Sequence, residues 1–253
     1  MRVAVVGGTG LVGQHVVRAL RGSGHEAVVV ARSTGVDVLT GAGLPEALDG
    51  CDSVVDVLNM PAQDAREARA LFGAATRQLL AAEQQAGVGH HLLLSILAVD
   101  RVEGNAHYSG KREQERLTLA GPVAATVLRA AQFHEFASMV VGWTLRDGVA
   151  TVPPLLVQPV AASDVGDVLA ELATGTPYNA TLELAGPEPQ DLVDMARRTL
   201  TARGQTIRLI PTWDGAFGVE MAGDVLLAGP NARLAPTTFD DWLATQAPAA
   251  TAD

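Results

Sequence analysis

The stretch that most constrains this chain is its beginning. Arg2 to Val6 is a short apolar run behind one Arg, long enough for a single buried strand. Gly7-Gly8-Thr9-Gly10-Leu11-Val12-Gly13 follows it directly, and an amphipathic run, His15 to Gly24, comes next. Strand, glycine turn and helix in immediate succession is the context in which a glycine pattern makes a phosphate site. Gly7 allows the tight turn, Gly10 lets backbone come close to a pyrophosphate, and Gly13 lets the helix pack against the strand. The helix start offers unpaired N–H groups and about half a positive charge to an anion. Gly7, Thr9, Gly10, Leu11 and Val12 are therefore the candidate contacts to a dinucleotide.

Composition removes several classes of function. A chain of 253 residues, 48% hydrophobic and 18% charged, suits a soluble globular protein with a substantial core. At that size it should bury about three quarters of its unfolded surface. The net charge of −10 argues against a nucleic-acid backbone as partner. No run of eighteen apolar residues offers a membrane span. The lone Cys51 excludes an internal disulfide. With a strand starting at residue 2 there is no room for a signal peptide, and the expected location is cytoplasmic.

Further along, short strand-like and helical segments alternate. Glu26 to Ala31, Val36 to Leu39, Ser53 to Leu58, His90 to Ser95 and Ala124 to Leu128 read as strands, the second of these at an edge. Leu44 to Gly50, Asp64 to Gly87 and Asn105 to Gly121 read as helices. This alternation predicts an α/β fold with a doubly wound parallel sheet. After Leu145 the texture changes: Pro153, Pro154 and Pro159 cluster and elements shorten. Ser163 to Ala173 is expected as a helix with Ser163 at its N-cap, Thr181 to Leu184 as a strand, Gln190 to Arg203 as a helix and Thr206 to Ile210 as a strand. Phe239 to Leu243 closes the fold, and Ala247 to Asp253 reads as a frayed tail. The expectation is one Rossmann domain over residues 1–253, in which about 146–253 forms a smaller substrate-side part.

Arg32 and Ser33 stand just after the second strand, where an acid would accept from the 2′-hydroxyl of NAD and an Arg suits the 2′-phosphate of NADP. That favours NADP(H) over NAD(H). His90-His91 invites a metal reading, but adjacent strand residues point to opposite faces and no Cys or third His is nearby, so no metal site is assigned. Ser95 ends one strand, Lys111 lies on the following helix, and Gln132-Phe133-His134 follows another strand; all three pieces fall where a nicotinamide would sit.

These pieces together resemble a known family. Gly7 to Gly13 resembles the GGTGxxG of atypical short-chain dehydrogenase/reductases of the NmrA-like group, and Tyr108-Ser109-Gly110-Lys111 with the trailing Glu115 resembles their YxxK-type segment. Arg129 to Phe133, Pro159 to Val165 and Leu184 to Glu188 resemble later landmarks of the same group. The resemblance implies that Asp37 and Val38 meet adenine and that Leu58 and Asn59 line the cofactor's middle. It also implies that Lys111 holds the nicotinamide ribose and that Gln132 and Phe133 wall the nicotinamide.

Carbonyl reduction needs a hydride donor and a proton donor at the developing alkoxide. In the wider superfamily a Tyr four residues before a Lys gives the proton; bringing a phenol from pKa 10 to about 7 would take about 4 kcal/mol. Here His107 occupies the four-before position and Tyr108 the three-before position, about 40° and about 60° from Lys111 around a helix. The candidates for catalysis are therefore Lys111, Tyr108, His107 and Ser95, the last polarising a carbonyl. His134, Phe136 and Trp143 are candidate substrate contacts, with Met139, Val140, Trp213 and Phe217 as further candidate lining. Their apolar character favours a small uncharged or aromatic substrate. The leading reading is an NADP(H)-dependent oxidoreductase acting on a carbonyl, quinone or enone. The alternatives are a non-catalytic NADP(H)-binding sensor and an isomerase or epimerase. Whether the protein is a monomer or a homodimer stays open at this stage.

Overall fold

The computed structural model describes residues 1–215 and 217–246. In chain order the elements are β1 (Arg2–Val6), α1 (Leu11–Gly22), β2 (Glu26–Val30), α2 (Leu44–Leu48), β3 (Ser53–Asp56), α3 (Ala65–Ala86), β4 (His90–Ile96), α4 (Ala106–Leu119) and β5 (Ala125–Ala130). There follow α5 (Phe136–Thr144), β6 (Val149–Val152), β7 (Leu156–Val157), α6 (Ala162–Ala173), β8 (Thr181–Ala185) and β9 (Gln190–Asp191). The last are α7 (Leu192–Ala202), β10 (Arg208–Pro211), β11 (Arg233–Leu234) and α8 (Phe239–Ala244).

Among the described residues the main sheet has seven strands in the order β11-β8-β5-β4-β3-β1-β2. β1 pairs in parallel with both β2 and β3, and β3–β4 and β4–β5 are parallel too. The chain thus builds outward from β1 to β2, then crosses to β3 on the other side. Such a reversal opens a crevice at the carboxyl ends of β1 and β3, where ligands bind in doubly wound sheets. Helices α1 and α6 pack together on one face, and α3 and α4 on the other. Covering both faces explains why Val3 to Val6 of β1 are fully buried and form an unbroken apolar run.

The chain forms two compact units, residues 1–130 with 162–183, and residues 131–161 with 184–253. The sequence suggests a single change of texture near residue 146. Instead the second unit starts earlier, and α6 returns to the first, because its apolar face packs on α1. In the second unit β6 pairs in parallel with β10, β7 runs antiparallel to β9, and the last two residues of β8 pair with β11.

Helix ends follow their capping residues. Asp64 accepts from the N–H groups of Arg66 and Glu67 at 2.8 Å each, and Gly87 closes α3 at φ +73°. Asn105 caps α4 through His107 and Tyr108. Three local expectations need correction. Val36 to Leu39 is not a strand: a three-residue 3-10 turn, Arg32–Thr34, precedes it, and Asp37 makes only an isolated bridge to Ala42 while its carboxylate accepts from Leu39 N–H at 2.8 Å. Ser163 is not an N-cap, since α6 begins at Ala162. The helix expected from Gln190 begins at Leu192, because Asp191 spends its carboxylate on Asp194 N–H as the cap. The tail from Ala247 to Asp253 lies outside the described residues. No helix among the described residues is long and apolar enough to cross a membrane.

Candidate functional site

The Gly7–Gly13 turn is built where the sequence placed it, and its geometry depends on backbone. Gly7 has φ +85°, and its N–H donates to Val30 O at 2.9 Å while Gly10 N–H donates to Gly7 O at 2.9 Å. A Cβ at Gly13 would stand 2.2 Å from Gly7 O and 2.6 Å from Gly8 Cα, so α1 can rest on the turn only with glycine there. Helix α1 begins after Gly10 with no side chain capping it, which leaves its first N–H groups to an outside anion. Thr9 and Leu11 are exposed and Val12 is buried. The cradle fits a pyrophosphate.

Around this turn the carboxyl ends of the parallel strands bring further residues together. Arg32 and Ser33 are found just past β2, both exposed at the surface. Asp37 and Val38 are half-buried, Val38 packing on the core beneath β1 and β3. Past β3, Val57 N–H donates to Val6 O at 3.0 Å, and Val57 O lies 3.1 Å from where a Cβ on Gly7 would stand. Leu58 is half-buried and Asn59 exposed.

Lys111 is 5% exposed, and its ammonium is fully engaged. It donates to Leu58 O at 3.1 Å, Leu94 O at 2.9 Å and Gln114 Oε1 at 2.9 Å, with the Phe72 ring 5.2 Å away. An ammonium has three N–H donors, and here all three go to protein acceptors. Burial pulls its pKa down to about 8 against the opposing charges of Asp56 and Glu115. Gly110 is what lets this part of α4 approach α3, since a Cβ there would meet Phe72 at 2.4 Å.

His107 lies edge-on to Phe72, ring centroids 5.6 Å apart, and burial together with the Lys111 charge holds its pKa down at about 4. At neutral pH it is an uncharged imidazole. Tyr108 is buried in the first turn of α4. Ser95 shares a face of β4 with His91, which reaches Glu83 on α3, so Ser95 faces the α3–α4 side. It is 3% exposed, and its Oγ has no hydrogen-bond partner among the described residues. A buried hydroxyl left open in this way suits a ligand acceptor.

The other candidates belong to the second unit. Gln132 and Phe133 are half-buried; Gln132 O accepts from Val160 N–H at 2.9 Å and Phe133 O from Phe136 N–H at 2.9 Å. His134, expected to face substrate, is fully buried instead. Its ring packs on Phe239 and Trp242 with Nε2 3.3 Å from Thr237 O, and α8 covers it. Phe136 is half-buried and Trp143 is 54% exposed; both meet Phe217 in an aromatic cluster.

Sequence reasoning missed two buried polar pairs that matter here. Asp56 and Gln114 are both fully buried, and Gln114 Nε2 donates to Asp56 Oδ2 at 2.7 Å. The Glu83–His91 pair is likewise fully buried, Nδ1 to Oε1 2.8 Å; burial opposes charge on His91, but Glu83 and Asp56 outweigh it and hold its pKa up. The signal for Asp56 is present in the sequence, a carboxylate inside an apolar strand, which must find partners if buried.

Comparison with known proteins agrees with this geometry. Residues 3–96 match the family model described as the NAD dependent epimerase/dehydratase family. The photosystem II assembly factor Ycf39 of Synechocystis is 32% identical over 111 residues, which is 38% of this chain and 34% of that protein. The match thus spans about a third of that curated relative's length. Among solved structures, MoeE5 in complex with UDP-glucose and NAD superposes with a TM-score of 0.73 at 22% identity, covering 97% of each chain. The Escherichia coli NADPH-dependent quinone oxidoreductase QOR2, complexed with NADPH, gives 0.65 at 19% identity, covering 83% of this chain and 78% of that one. Fold and site together define a Rossmann-like α/β protein with a glycine turn built to cradle a phosphate. More particularly, residues 3–96 of the chain carry the epimerase/dehydratase pattern.

Proposed function

We propose that the protein is an NADP(H)-dependent oxidoreductase that reduces a small uncharged carbonyl, quinone or enone in the cytoplasm. The observation that carries the reading is the Gly7–Gly13 cradle at the uncapped start of α1, which admits a pyrophosphate and no side chain. Arg32 and Ser33 beside it, with no acid at the end of β2, support the 2′-phosphate form of the cofactor. That a protein of like fold was solved with NADPH and another with NAD supports a nicotinamide dinucleotide. When bound, the dinucleotide supplies the hydride.

The chain's own groups supply the rest. Ser95, with its open hydroxyl, donates to the substrate oxygen, and Tyr108 gives the proton. His107 is the poorer acid, because its imidazole is already neutral at pH 7. The exposed face of Trp143 and the half-buried Phe136 support an apolar substrate. One observation favours the second reading, a non-catalytic NADP(H) sensor: Lys111 is spent on the protein, so no free ammonium is left to draw the Tyr108 phenol toward phenolate. An epimerase or isomerase is the third reading, supported by the family match.

NADPH consumption measured against a panel of quinones, enones and ketones tests the proposal. Turnover that is lost in Tyr108→Phe and kept in His107→Ala supports the reductase. Tight NADPH binding with no turnover anywhere in the panel, unchanged by either substitution, overturns it in favour of the sensor.

A further inference from the structure

We infer that Gln114, whose side chain hydrogen-bonds Lys111 and Asp56 and not the cradle, is the positioning residue that fixes one wall of the cofactor site. Its consequence for binding rests on the dinucleotide reading above; its role in the fold rests on hydrogen-bond chemistry alone.

Leu58 is held from both sides. Its N–H donates to Asp56 Oδ1 at 2.9 Å, and its C=O accepts from Lys111 Nζ at 3.1 Å. Its neighbour Val57 presents the carbonyl that abuts Gly7. The cation and the carboxylate that grip Leu58 do not bond each other directly; Gln114 joins them, accepting from Lys111 at 2.9 Å and donating to Asp56 at 2.7 Å. Lys111 can only donate, and ionised Asp56 can only accept. A side chain between them must therefore accept at one end and donate at the other, within a site that is closed to water: Gln114 and Asp56 are fully buried. Leu at position 114 would leave both ends unpaired, a basic residue would face a cation, and a carboxylate would face a carboxylate. An amide does neither, and its orientation is dictated by its two neighbours. Through this relay the position of α4 is transmitted to the Val57–Leu58 backbone and so to Gly7.

The test reverses the polarity of the relay without changing its size. Asp56→Asn alone puts an NH₂ opposite Gln114. Whichever way the two amides then turn, one donor faces another donor, at the contact between positions 56 and 114, at Lys111 or at Leu58 N–H. Adding Gln114→Glu repairs both ends, because the new carboxylate accepts from Lys111 and from the new amide, whose oxygen still accepts from Leu58 N–H. Two quantities are read: NADPH dissociation by fluorescence titration, and hydrogen exchange of the Leu58 amide in the cofactor-free protein. The single variant is expected to weaken NADPH and to speed Leu58 exchange by about tenfold each, as losing a hydrogen bond to a charged group implies. The double variant should return both to within about threefold of the parent. If the single variant matches the parent in both measurements, or the double is no better than the single, the inference is overturned. A parent protein that binds no dinucleotide would sink the function proposed above, while the Leu58 exchange would still decide the role of Gln114.

Discussion

The phosphate turn and the Lys111 cluster lie at the same edge of the same sheet, yet they are made from opposite materials. The turn works by absence: Gly7, Gly10 and Gly13 remove side chains so that backbone can meet backbone and an anion can meet α1. The Lys111 cluster works by pairing, with a cation, an amide and a carboxylate buried together and every ammonium donor engaged. A site defined by absent atoms tolerates almost no addition. A site defined by pairing tolerates substitution only if partners change together.

Gly13→Val should give the largest effect, because its Cβ would meet the Gly7 carbonyl at 2.2 Å and neither backbone segment can yield. NADPH affinity is expected to fall by more than about a hundredfold, with about 2–3 kcal/mol of stability lost to overpacking. Calorimetric titration and thermal melts would show it. An affinity left intact would mean the cradle is not where the phosphates go.

Next comes Lys111→Met. It takes the cation from a buried network and leaves Asp56 charged with only Gln114 and the Leu58 amide to support it. About 3 kcal/mol of stability should be lost in chemical denaturation. A variant as stable as the parent would show that the pairing contributes nothing.

Arg32→Ser should act only on cofactor choice. NADPH affinity is expected to drop about tenfold and NADH affinity to stay level, which a pair of titrations resolves. Equal loss for both would place Arg32 away from the 2′-position.

Smallest is a pH effect at His107. Its folded pKa of about 4 lies below the usual 6.5, chiefly through burial. Between these values the folded state holds fewer protons than the unfolded chain, so stability is full above about pH 6.5 and falls as pH drops toward 4. His107→Gln should shrink that loss in melts taken across the window. His90, also held down at about 4 by burial, keeps part of it. An unchanged acid limb would mean that His107 is charged in the folded protein.

The same contrast explains what can be read from the sequence. The parallel doubly wound sheet and the glycine turn follow from local patterns: apolar runs of strand length, and glycines where only glycine fits. The place of Arg32 just past β2 is legible because the end of that strand is fixed by the fold. The relay is not, since Gln114 and Asp56 are 58 residues apart and look like ordinary polar residues until the sheet brings them together. Lys111 stands out in the sequence, but its partners do not, for the same reason. Val36 to Leu39 misleads because its alternating pattern fits a strand, whereas Asp37 closes a turn on Leu39. His134 misleads because α8, which buries it, lies about a hundred residues downstream.

The most direct test of the central claim is a crystal structure of the NADPH complex. The expected result is the pyrophosphate on the N–H groups at the start of α1, the 2′-phosphate beside Arg32 and Ser33, and Lys111 still bonded to Leu58 O and Leu94 O. A pyrophosphate bound away from Gly7–Gly13, or Arg32 turned to solvent with Lys111 swung onto the ribose, would contradict it.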